Sequence, residues 1–192
     1  MIELQVKHGI GAAESVPMAA KADIQQPDVN GEVIFEGAEG WQPARPRTLV
    51  VACSDGRLQK SIDEFLATRL GVTDYDRLYA PGGPAALGRD TLLHRTDQLI
   101  RELEFLMKAH RIEEIVLLFH SADASGPDDA ICAHYKRILP GANRKTVAAE
   151  QNKHAIEARQ VIGAIAPHVQ VLVYRAEVSS DGVVKFVDLL TP

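Results

Sequence analysis

A thiol, an imidazole and two carboxylates stand in two short stretches of the chain, Cys53-Ser54-Asp55-Gly56-Arg57 and His120-Ser121-Ala122-Asp123-Ala124-Ser125-Gly126. Each stretch follows an apolar run. Cys53, His120 and Asp123 are donors of the kind a zinc-like ion takes, with thiolate at about 2.3 Å and imidazole or carboxylate at about 2.0–2.2 Å. Asp55 and Arg57 lie on the same side of an extended turn, where pairing holds the carboxylate ionised and oriented. Each residue also has a plainer reading. Cys53 can be a small buried apolar residue, His120 a satisfied core histidine, Asp123 the cap of the turn that follows it, and Asp55–Arg57 a structural ion pair. Cys132 reads as core packing in a helix, and His134 and His154 as solvated faces. Ser54 and Ser121 have no adjacent base to make them nucleophiles.

The elements that must position these groups are legible from periodicity. Residues 48–53 form a continuous apolar run rich in β-branched side chains, as in a buried parallel strand. Ser61-Ile62-Asp63-Glu64 is a capping-box pattern and predicts a helix over 62–70. A short strand is expected over 77–80, before the breaker Pro81-Gly82-Gly83-Pro84. Leu92, Leu99, Ile100, Leu103, Leu106 and Met107 share one face of a long helix. A buried strand over 114–119 ends at His120. Pro127, Asp128 and Asp129 suit the first turn of a further helix, and another helix is expected over 146–166. A strand over 169–174 precedes the turn Asp181-Gly182 and a last hairpin strand over 183–187. This alternation predicts an α/β fold, a mostly parallel sheet flanked by helices with an added C-terminal hairpin strand. In such sheets ligands bind beyond the carboxyl ends of the strands, where both chemical stretches fall. Residues 1–46 differ: they are rich in Gly, Pro and Ala, with one strand-like run, Val33-Ile34-Phe35, and read as an N-terminal arm ahead of a domain spanning 47–192.

Cys-x-Asp-x-Arg at the end of the first strand, with a His at the end of a later one, resembles the β-carbonic anhydrase family. The resemblance covers roughly 48–189 and extends to the long helix before the His strand and the glycine-bearing loop after the second strand. It implies Cys53 and His120 as zinc ligands and Asp55 with Arg57 as the gate to the fourth position. It places the family's third ligand, a Cys three residues after the His, at Asp123. A carboxylate there keeps the ligand charge at two negatives and gives a harder donor set. The family's loop motif is replaced by Ala80-Pro81-Gly82-Gly83-Pro84, of which Gly83 matches. The loop, with Gly82 and Gly83, offers backbone N–H groups to a small anionic substrate. The resemblance further implies a homodimer or larger homo-oligomer.

Composition narrows the rest. A chain of 192 residues with a net charge of -5 and scattered basic residues does not suit a broad nucleic-acid surface. No stretch approaches the roughly 18 apolar residues of a membrane span, and no signal peptide is read at the N-terminus. Two cysteines make no disulfide framework and fit a reducing cytoplasm. Three functions follow as expectations. The first is reversible hydration of carbon dioxide to bicarbonate, with zinc lowering the pKa of water toward neutrality. The second is a metal-dependent reaction on another small electrophile. The third is a metal-free binder of small anions, or an interaction protein on the same scaffold.

Overall fold

The computed structural model describes residues 33–88 and 93–190. It divides into two units, Met1–Trp41 and Gln42–Pro192. In the first, residues 33–41 have no regular structure, and Val33, Ile34, Phe35 and Trp41 are exposed. The strand expected over 33–35 is therefore not formed: β-branched content alone does not make a strand without a partner to complete its hydrogen bonds. The rest of the arm, residues 1–32, lies outside the described residues, as does Leu92.

The second unit is built on a five-stranded sheet of order β2-β1-β3-β4-β5. Its strands are β1 (Thr48–Cys53), β2 (Asp76–Ala80), β3 (Glu114–Ala122), β4 (Gln170–Val178) and β5 (Val184–Asp188). The first four pair in parallel and β5 closes antiparallel on β4. The helices are α1 (Gln59–Phe65), α2 (Leu93–His110), α3 (Ala133–Ile138) and α4 (Arg144–Ile165). Side chains of the central strands alternate between two cores, as a pleated sheet covered on both faces requires. Leu49, Val51, Ile115, Leu117 and Phe119 meet Leu99 and Leu103 of α2 and Val147, Ala155, Ala158 and Ile162 of α4. Val50, Ala52, Val116 and Leu118 meet Ile62 of α1 and Leu66 beyond it. On that second face Phe65 stacks on Phe186 of β5, with centroids 4.1 Å apart.

Strand order fixes where the site can be. From β1 the chain steps outward to β2, then crosses back to β3 on the other side of β1. The carboxyl ends of β1 and β3 are thus a topological switch point, where connections leave in opposite directions and a crevice opens. Pairing between the two strands stops at Ala52↔Leu118. Cys53 and His120 lie just beyond, one on each side of the opening.

Several expected elements differ in their limits: β3 runs on to Ala122 and β4 to Val178. The first helix starts at Gln59, ahead of the Ser61 capping box. Asp55 is the reason: its side chain accepts from the Arg57 N–H, caps the turn Gly56–Leu58, and that turn feeds directly into α1. Asp128 and Asp129 begin only a single 3-10 turn, Asp128–Ala130, and α3 starts after Cys132. Among the described residues no helix is long and apolar enough to cross a membrane.

Candidate metal centre

Cys53, His120 and Cys132 offer donor atoms that all lie within 4.8 Å of one another. Three separate elements deliver them: the end of β1, the late part of β3, and the residue that caps α3. The two sulfurs are 3.9 Å apart. Two thiolates bound at about 2.3 Å to one tetrahedral ion would stand about 3.8 Å apart, so the pair is spaced for a shared ion.

His120 is oriented by its surroundings. Its Nδ1 faces the carbonyl of Ala130 at 3.1 Å and must donate to it, since a carbonyl only accepts. That hydrogen bond occupies Nδ1 and leaves Nε2 as the ring nitrogen available to a ligand. Nε2 is buried and has no hydrogen-bond partner among the described residues. A buried polar atom without a partner is costly, and a metal ion between the two sulfurs would satisfy it. Gln151 on α4 steadies this end of β3, its Nε2 donating to the His120 carbonyl at 2.9 Å.

The thiols divide one proton unevenly. The hydrogen bond from Cys132 holds the Cys53 thiol well below its ordinary value, with help from His120 and the Gly82 N–H. Gly82 N donates to the Cys53 sulfur at 3.4 Å. Cys132 is pushed the other way by its bond to Cys53, by burial and by the charge beside it. One negative charge is easily held here, and a second requires a cation. The donor set therefore fits a metal ion that is soft enough to take two sulfurs and one nitrogen.

Asp55 and Arg57 stand in front of the cluster. Nε and Nη2 of Arg57 donate to the two oxygens of Asp55 at 2.9 and 2.7 Å, a bidentate pair. The guanidinium pulls the Asp55 carboxyl from 3.8 to about 2, so it is ionised at any ordinary pH. The other side of Arg57 reaches Asp129, a residue sequence reasoning passed over as a helix start. Nη1 donates to its carboxylate at 3.2 Å and Nη2 to its carbonyl at 3.1 Å. These three residues, His120 and an apolar wall that includes Leu58 and Val178 line a cavity of about 200 Å3. A wider cleft of about 760 Å3 near the start of α4 contains none of the three donors.

Asp123 lies apart from the donor cluster. Its Oδ1 accepts from the Ser125 N–H and hydroxyl, both at 2.8 Å, and Lys185 lies 3.7 Å from Oδ2. This is the turn-cap reading, and the Ser125 contacts hold the carboxyl below its usual value. The third donor grouped with Cys53 and His120 is Cys132, nine residues beyond position 123, which sequence reasoning assigned to packing. Asp123→Ala is expected to leave metal stoichiometry and affinity unchanged in a competitive titration; a steep loss would return Asp123 to the ligand set.

Gly82 and Gly83 pack against the end of β1. Gly83 has φ +52°, and a Cβ there would come within 2.6 Å of the Ala52–Cys53 backbone. Gly82, at φ +84°, faces the His134 ring, which a Cβ would meet at 2.7 Å. Their work is to let the loop press against the end of β1 and bring an N–H to sulfur. His134 and His154, expected on solvated faces, are both buried. His154 Nδ1 is 2.8 Å from the Tyr135 hydroxyl and its Nε2 is 3.3 Å from Glu150.

No model of a known protein family matches the chain. It is similar to an uncharacterized protein of Rickettsia bellii, 28% identical over 142 residues, which is 72% of this chain and 79% of that protein. An uncharacterized protein of Rickettsia conorii is 30% identical over 142 residues, 72% of this chain and 70% of that one. Among solved structures it is similar to a carbonic anhydrase from Streptococcus mutans, with a TM-score of 0.44, 22% identity and coverage of 78% of this chain and 87% of the other. A β-carbonic anhydrase from Trichomonas vaginalis gives a TM-score of 0.46, 11% identity and coverage of 79% and 88%.

Proposed function

The chain belongs to the same family as the Rickettsia conorii protein, and we propose that it is a zinc enzyme that hydrates carbon dioxide reversibly. The observation that carries this reading is the orphaned Nε2 of His120, buried beside two thiols 3.9 Å apart and next to a small cavity. Cys53, His120 and Cys132 would hold the ion. When bound, zinc supplies Lewis acidity and lowers the pKa of water toward neutrality.

The chain's own residues do the rest. Cys53 and Cys132, both as thiolates, would balance the charge of a dication. Arg57 draws both oxygens of Asp55 to itself, which would keep that carboxylate from becoming a further ligand. The ionised Asp55 can accept a hydrogen bond but has no proton to give. Leu58, Pro127, Val178 and Val184 give the cavity apolar walls, which suit a small molecule without charge. The resemblance brings with it a homo-oligomer as part of the same reading. A metal-free anion binder is supported by the lack of a thiolate at position 123; the zinc reading takes Cys132 as the third ligand in its place.

Stopped-flow hydration of carbon dioxide by the zinc-loaded protein tests the proposal. Rates well above the uncatalysed reaction are expected, with Arg57→Ala lowering them about a hundredfold as Asp55 turns toward the ion. Zinc-loaded protein without hydration activity would contradict the reading. Full activity in Arg57→Ala would leave the pair a structural role only.

A further inference from the structure

Arg57 would be the natural partner for an anion entering the cavity, yet four of its five N–H donors are engaged. Asp55 occupies Nε and Nη2, and Asp129 occupies Nη1 through its carboxylate and Nη2 through its carbonyl. The second claim on the guanidinium comes from the segment between His120 and Cys132, which leaves the sheet, turns and returns. Its course is firmly held. The Ala130 carbonyl accepts from His120. Arg144 donates to the Ala124 and Gly126 carbonyls and to the Asp128 carboxylate. Asp129 sits between two anchored neighbours, so its approach to Arg57 is part of the same built turn that carries Cys132 to the centre.

We propose that Asp129 is a specificity-determining residue that sets the cavity against small anions and in favour of uncharged molecules. This rests on the zinc reading of the site. With two thiolates and a dication the ligand set is neutral. The charged groups lining the cavity are then Asp55, Arg57 and Asp129, and their sum is one negative charge. Without Asp129 the sum is zero and one edge of Arg57 is freed toward the cavity. Carbon dioxide feels neither change, while bicarbonate and its analogues feel both. The arrangement holds an anionic product weakly and favours its departure. Asp129 is largely exposed, so the effect is solvent-screened and modest.

The probe is thiocyanate, titrated into the cobalt(II)-loaded protein and followed by the visible absorption of the metal, a reading that does not depend on turnover. Asp129→Asn keeps the side-chain shape and an acceptor for Nη1. It is expected to bind thiocyanate about three- to tenfold more tightly at low ionic strength, with the gain shrinking in high salt. Asp74→Asn, a charge change just before β2 at the amino end of the sheet, should leave the affinity where it is. Equal tightening in both variants, or none in Asp129→Asn, would overturn this inference alone. A protein that takes up no cobalt and no zinc would overturn it together with the function proposed above.

Discussion

Cys132→Ala should lower the zinc affinity of the chain by about a thousandfold or more, on the order of 4 kcal/mol. Cys132 is buried, and its thiol resists ionising because Cys53 beside it already carries the pair's negative charge. A dication relieves that conflict, and both sulfurs can then bind. With Ala at 132 the centre keeps only Cys53 and His120, two ligands from opposite sides of the crevice and one negative charge. The replacement removes a single small buried atom, so a cost of about 1 kcal/mol to the fold is expected and the protein should remain folded. Competition against a chromophoric chelator, with the native chain in parallel, gives the measurement. An unchanged affinity would remove Cys132 from the ligand set.

Zinc should also stabilise the fold. An ion bound only by the native state stabilises it by about 4 kcal/mol at a free concentration a thousand times Kd. For a chain of this size that is a rise in Tm of roughly 8–16 °C. Addition of a strong chelator should reverse it. The sign of the pH effect follows from the ligands. Protons compete with the ion for the sulfurs, above all for Cys132, so the gap between zinc-loaded and chelated protein should be wider at pH 8 than at pH 6. Calorimetry at the two pH values is the test; a gap within 1 °C at both would speak against a structural contribution from the ion.

The alternation of strands and helices was open to reading because each element signals itself locally. The apolar run of β1, the periodic leucines of α2 and the turn before β5 need no distant partner to be recognised. Cys53, Asp55 and Arg57 were equally accessible, since the pair spans two residues and sits where a strand must end. Cys132 was hidden for the opposite reason. Its nearness to His120 depends on a turn built from Asp123, Ser125 and Arg144, and such long excursions leave no periodic trace. The short spacing drew attention to Asp123 instead, whose oxygen is used by its own turn. The buried histidines were missed because their cover is tertiary. Gly82 lies on the His134 ring and Gly88 on that of His154, contacts that only the folded loop creates. The capping box at Ser61 misled because a stronger cap, Asp55, acts a few residues earlier.

The central claim is that Cys53, His120 and Cys132 hold a zinc ion. Elemental analysis of the full chain, purified without added metal or chelator, tests it most directly. About one zinc per chain is expected, lost in Cys132→Ala and retained in Asp123→Ala. A native chain that carries no zinc and takes none up when zinc is supplied would contradict it.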